Sequence, residues 1–202
     1  MKNLLIFLII GILVASCKRG IVSSSEPLDA AESLLWELHE KNFTYEGVTG
    51  VNVSAAEIYS RAENYFLATG FLKAISQSDY VDFFNNTVLS DDTFNISCLR
   101  KVIPEVYFIT NPSNALGNAY NFKKVGEQFD SELSKSHQFS PIAKCLENLY
   151  FKSNSKESVR NGINELLNEI DEESFKDNIL YRAYLIGLGY RLLEVKKYSP
   201  SQ

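Results

Sequence analysis

The chain has 202 residues, 20 basic against 25 acidic side chains, a formal net charge of −5, and 45% hydrophobic with 12% aromatic residues. That length is enough to bury a self-sufficient core as one domain. The acidic balance, without any basic tract, argues against nucleic acid as a partner, because phosphate binding draws on clustered Lys and Arg.

At the start, Met1-Lys2-Asn3 leads into an apolar run over residues 4–14, then Ala15-Ser16-Cys17 and the basic pair Lys18-Arg19. A basic residue, a short hydrophobic run and small residues at a cleavage position make an export signal. The run is too short for a spanning helix, which needs about 20 residues. Val14-Ala15-Ser16-Cys17 resembles the lipobox of bacterial lipoproteins. The resemblance implies that residues 1–16 are a signal peptide and that the Cys17 thiol carries diacylglycerol. It also implies a lipid-anchored cell-envelope address. The absence of an acidic residue directly after the cysteine favours the outer membrane, facing the periplasm or the surface, over the inner membrane.

Two acyl chains anchor stably at about 0.8 kcal/mol per buried CH₂, so the domain needs no membrane-binding face of its own. Residues 17–27, with Ser23-Ser24-Ser25, read as the lipidated terminus and a flexible tether, and 28–202 as a single helical domain. Loss of Lys2 with the signal takes the formal charge from −5 to −6. With Cys17 lipidated, Cys98 and Cys145 remain, as a disulfide in an oxidising compartment or as two separate buried thiols.

The first helix starts around Ser25-Glu26-Pro27, with Leu28, Ala31, Leu35 and Leu38 on one stripe. Residues 42–53, with Gly47 and Gly50, break the period. Ser54-Ala55-Ala56-Glu57 then reads as a capping box, followed by Ile58, Ala62, Tyr65, Thr69 and Leu72 as an inner face. A third helix near Ser78 turns Tyr80, Phe83, Phe84 and Val88 inward. A fourth runs from the N-capping pair Asp91-Asp92 toward Val102 and stops at Pro104. Residues 105–110 read as a strand-like run, or equally as a turn or short helix, since one strand without a partner is marginal.

Asn111-Pro112-Ser113 opens a helix carrying Leu116, Tyr120, Phe129 and Leu133. Ser140-Pro141 starts the next with a cap and a proline in the first turn, and buries Ile142, Cys145, Leu146 and Leu149. Residues 153–158 form a polar connector. Val159, Ile163, Leu166, Leu167 and Ile170 mark a short helix ending at the acidic run Asp171-Glu172-Glu173, read as a solvated corner. The last helix, from Ser174 to about Lys197, is apolar on two faces and therefore central. The fold expected is all-α.

Leu116-Gly117-Asn118-Ala119-Tyr120 and Leu188-Gly189-Tyr190-Arg191-Leu192 resemble the L-G-x-x-[Y/L] core of tetratricopeptide (TPR) helices. The resemblance implies stacked helical hairpins with a concave peptide-binding groove. Gly117, Tyr120, Gly187, Gly189 and Tyr190 are the residues it nominates for that groove or for close helix packing. No repeat near 34 residues recurs, which leaves an irregular helical bundle as the leading architecture and a TPR-like hairpin array as the alternative.

The chain has no HExxH, no CxxC, no phosphate-cradling glycine loop and no GxSxG. Its two histidines, His39 and His137, read as surface residues. No catalytic set, metal site or cofactor is expected. The functional expectation is a binding protein with a groove lined by Tyr and Phe: a scaffold or accessory subunit of an envelope complex, held to the membrane through Cys17, with a protein partner. The alternatives are a carrier of a small apolar ligand for a transporter and a surface protein that binds host molecules.

Overall fold

A computed structural model describes residues 26–43, 54–90, 112–152 and 154–198. Eight α-helices account for most of them: α1 (Glu26–Phe43), α2 (Ala55–Ala68), α3 (Gln77–Phe83), α4 (Pro112–Phe129), α5 (Phe139–Lys152), α6 (Lys156–Asn168), α7 (Glu172–Asp177) and α8 (Leu180–Tyr198). A π-helical turn, Phe84–Val88, prolongs α3, and a 3₁₀ turn, Lys135–His137, precedes α5. The described residues contain no strand, and the fold is an all-α bundle. The readings of the signal peptide, Cys17, the tether up to residue 25, the helix from Asp91 to Val102, Pro104, the run 105–110 and Cys98 lie outside the described residues.

Helix α1 buries Ala31, Leu35 and Leu38 along the stripe the sequence lays out. It includes Glu26 and Pro27, in keeping with a helix start around Ser25-Glu26-Pro27. At its far end both carboxylate oxygens of Glu40 accept the Ala55 N–H, at 3.0 and 3.1 Å. This places a negative charge on the N-terminus of α2, where the helix dipole favours it.

Ser54 caps α2 as its motif predicts, accepting the Glu57 N–H at 3.2 Å. The other half of the box is not made, because the Glu57 carboxylate turns instead to Arg61 one turn on. Thr69 is the exposed C-cap rather than an inner-face residue, and its hydroxyl donates to the Tyr65 carbonyl at 2.8 Å. The helix stops there because Gly70 adopts φ +74°, a left-handed conformation that glycine reaches without strain.

Helices α4 and α5 make the most extensive pairing in the bundle, and two devices set it. A Cβ on Gly126 would stand 2.7 Å from the Ser140 backbone nitrogen, so only glycine admits this approach. Asp130, just after α4, accepts the N–H of Phe139 at 2.7 Å and of Ser140 at 3.0 Å. The cap of α5 is therefore supplied by the preceding corner and not by Ser140. On α4 the inward face is Ala119, Phe122 and Val125, while Leu116 is 39% and Tyr120 62% exposed. Ala119, Phe122 and Val125 recur at steps of three, and that stripe turns the larger Leu116 and Tyr120 outward.

Within the segment read as a polar connector, Ser155 and Ser158 form a reciprocal capping box, at 3.1 and 3.0 Å, that starts α6. The final helix is not continuous from Ser174. Asp171 caps the short α7, then Asn178 leaves helical geometry (φ −119°, ψ 111°) and its side chain accepts the Leu180 N–H at 3.0 Å, starting α8 afresh. Asparagine competes with helical hydrogen bonding in this way. From Leu180 to Tyr190 every residue is buried, so α8 is the central helix. Glycine permits its close packing: a Cβ on Gly189 would meet Phe83 Cε1 at 2.9 Å.

Candidate functional site

A cleft of about 850 Å³ opens where α1, α2, α7 and the start of α8 meet. Helix α1 sends Leu28, Asp29, Glu32 and Trp36 to it, residues that share one face at helical spacing. Glu63 comes from α2, and Asp171, Glu173 and Asp177 come from α7 and its cap. Carboxylates thus outnumber the Arg182 guanidinium on this wall, and the half-buried Trp36 indole stands among them.

The floor is a buried ion pair. Arg182 Nε donates to Glu63 Oε1 at 2.6 Å and Nη2 to Oε2 at 3.0 Å, the fork geometry that suits guanidinium to carboxylate. Nη1 donates to the Phe175 and Lys176 carbonyls, the latter at 2.9 Å, which gives the C-terminal turn of α7 a cation. The Tyr80 hydroxyl donates to the same Glu63. Burial, then the Glu63 charge, hold the Tyr80 hydroxyl well above its usual pKa and keep it a donor. The guanidinium also lies 5.8 Å from the Phe175 ring centroid. Removing such a charge from water costs several kcal/mol, and only this full set of partners offsets it.

The rim is ordered by the same elements. The Tyr181 hydroxyl donates to Glu32 at 3.0 Å, and desolvation with the Glu32 charge pushes the phenol pKa up. Asp171 accepts the Ser174 N–H at 2.9 Å. Partial burial raises its carboxyl pKa, but the Ser174 hydroxyl and amide, His137 and the Glu173 amide together outweigh that and hold it below its ordinary value. Asp171 is therefore a helix cap and part of the cleft wall, while Glu172 and Glu173 are exposed, as a solvated corner requires.

His137 Nδ1 lies 2.8 Å from Ser134 Oγ and 3.0 Å from Ser136 Oγ, while its Nε2 is 3.6 Å from Asp171 Oδ2. Ser134, His137 and Asp171 have the residue types of a nucleophile, base and orienting acid. The serine contacts belong to a local turn, however, and the base-to-acid distance is beyond hydrogen-bond reach.

No protein family, curated protein or solved structure matches this chain. Its chemistry is therefore read from its own geometry. The described residues hold no group of three or more His, Cys, Asp or Glu that could bind a metal ion, and no helix long and apolar enough to cross a membrane.

The residues nominated from sequence are spread through the fold. Tyr190 is a core side chain, stacked on Phe66 with ring centroids 4.4 Å apart and its hydroxyl donating to the Ala62 carbonyl at 3.2 Å. Gly189 packs on Phe83, Gly187 is buried in α8, Gly117 is half-buried on α4, and Tyr120 points outward. They do not line one groove. Cys145 is a half-buried free thiol in a second cleft, of about 670 Å³, with Asp130, Lys144, Glu165 and Glu169 on its walls. Burial, then Glu169 and Glu165, push that thiol's pKa up to about 11, so it stays protonated.

His39 is not a surface residue: it is 0% exposed, against the expectation for an exposed helix end. Its stripe partner Leu35, four residues earlier, is buried, and the helix runs on to Phe43, which carries His39 into the interior.

Glu63 and Arg182 escaped the sequence reading, yet each left a signal. Glu63 continues the buried series Tyr59, Ala62, Phe66 on α2, and Arg182 interrupts an apolar run in the central helix. A charge on a core stripe implies a partner of opposite charge.

Proposed function

We propose that this chain is a lipid-anchored envelope protein, held to the outer membrane through Cys17, that acts by binding as a scaffold or accessory subunit of an envelope complex. The observation that carries this reading is Val14-Ala15-Ser16-Cys17 at the end of a short apolar run. The cleft supports a binding role. Asp29, Glu32, Glu173 and Asp177 with Trp36 suit a partner segment bearing Lys or Arg, since carboxylates attract the cation and the indole face stacks on it. A rim of exposed charges gives on-rate and specificity more than affinity, as a subunit that assembles with a defined partner needs.

The test is in-cell cross-linking of the full chain, followed by recovery of what is attached. The result expected is a stoichiometric protein partner, with recovery reduced at least tenfold by the joint charge reversal Asp29→Lys, Glu173→Lys and Asp177→Lys. Recovery of no protein, with a small apolar molecule copurifying, would replace this reading with that of a transporter's ligand carrier. Protease access on intact cells would place the domain at the cell surface, where a host molecule becomes the partner.

A further inference from the structure

Between α1, α2 and α4 the apolar interior is interrupted by one polar cluster. His39 of α1 is fully buried beside Leu35 and Leu38 of its own helix. Its Nδ1 lies 3.3 Å from Asn121 Nδ2 on α4, and its Nε2 has no hydrogen-bond partner. Asn118, one turn earlier on α4, faces both the imidazole and the Tyr59 hydroxyl of α2. All four side chains are buried. The seam between α1 and α4 is therefore closed over an imidazole that is only half satisfied when neutral.

Among the described residues the Asn118 side chain and the Leu35 backbone favour a charged ring, and burial outweighs both. From α2 the titratable group that faces it is Tyr59, whose pKa burial raises, so it remains a neutral phenol. From α4 the groups are the amides Asn118 and Asn121, and from α1 the Leu35 backbone. Of the acidic side chains of these helices, Glu32 is engaged with Tyr181, Glu37 with Lys41, Glu40 with the Ala55 N–H, Glu57 with Arg61 and Glu63 with Arg182, while Glu26, Asp29 and Glu127 are exposed. Lys123 and Lys124 of α4 are exposed. An imidazolium has two N–H donors and a charge, but Nε2 has no partner and no carboxylate among the described residues is recorded against the ring.

We propose that His39 is an acid-sensitive latch whose protonation releases α1 from α4 and α2, uncovering the buried face of α4. The inference goes beyond the membrane-anchoring reading and does not depend on it. Desolvation holds the buried ring's pKa down at about 4, against 6.5 for a free one. The sign follows from linkage. Above pH 6.5 both closed and released states are neutral and the seam keeps its full stability. Below 6.5 only the released ring binds a proton, so the opening constant rises up to tenfold per pH unit until the pH reaches the buried ring's own value. From pH 8 to pH 5, above the ordinary carboxyl range, opening should increase about 30-fold.

Hydrogen exchange of the full chain, read helix by helix at pH 8, 6.5 and 5 and corrected for intrinsic rates, tests the latch. The result expected is an approximately 30-fold fall in α1 protection from pH 8 to pH 5 while α5 and α6 keep theirs. His39→Gln should flatten the α1 response, and His137→Gln should leave it intact. An unchanged α1, a fall that persists in His39→Gln, or a parallel fall in α5 and α6 would each overturn the proposal. Should His39→Gln not fold, imidazole titration by NMR on the unmodified chain decides. A His39 ring that stays neutral in the folded state at pH 5 supports the latch, and one that protonates near pH 6.5 with α1 in place overturns it.

Discussion

Arg182 on the central helix and Glu63 on α2, 119 residues apart in sequence, meet as a bidentate pair at 2.6 and 3.0 Å, with side chains 5% exposed each. The pair ties α8 to α2, and through Nη1 to the end of α7, so it holds together three of the elements that wall the cleft. Arg182→Met leaves Glu63 buried without its cation and should destabilise the fold by about 3–5 kcal/mol. The double variant Glu63→Met with Arg182→Met should recover much of that, because two apolar side chains leave no buried charge. Urea denaturation of the three proteins checks this. A loss below about 1 kcal/mol for Arg182→Met alone would contradict the role given to the pair.

Gly126→Ala drives a Cβ to within 2.7 Å of the Ser140 nitrogen, and backbone cannot rotate away as a side chain can. The α4–α5 hairpin must spread, at a cost of about 1–3 kcal/mol. Gly70→Ala meets open space but carries the strain of φ +74°, about 1–2 kcal/mol. Thermal denaturation should register both as lowered midpoints, by about 2–4 °C for each kcal/mol in a chain of this size.

Tyr190 and Tyr120 come from the same sequence resemblance and should respond in opposite ways. Tyr190→Phe removes a buried hydrogen bond to the Ala62 carbonyl and should cost about 0.5–1.5 kcal/mol. Tyr120→Ser, on a side chain 62% exposed, should stay within about 0.5 kcal/mol of the parent. Chemical denaturation midpoints of the two variants distinguish a core tyrosine from an outward one.

The protonated state of Cys145 predicts slow alkylation. With its pKa at about 11, about one thiol in a thousand is ionised at pH 8, against about one in four for an ordinary cysteine near 8.5. Iodoacetamide labelling at Cys145 should therefore run at least 100-fold slower in the folded protein than in urea. Equal rates would contradict the environment described for the second cleft.

Helix content and the central place of α8 were legible because apolar spacing is a local property: Ala31, Leu35 and Leu38 read as a stripe, and α8 reads apolar on two faces. Caps were only half legible. Ser54 accepts the backbone N–H three residues on, but Glu57 prefers Arg61, and the cap of α5 comes from Asp130, ten residues before Ser140. The cleft was not legible as a site, since Glu63 finds Arg182 only when α2 and α8 are packed. Likewise, nothing in the local sequence of His39 distinguishes a helix end in water from one covered by α4.

Acylation of Cys17 is the central claim, and one comparison tests it directly. Metabolic labelling with a palmitate analogue, followed by fractionation, should show the parent chain labelled and in the membrane fraction. Cys17→Ser should be unlabelled and released in soluble form. Label that persists in Cys17→Ser, or a parent chain that takes up none, would contradict the account.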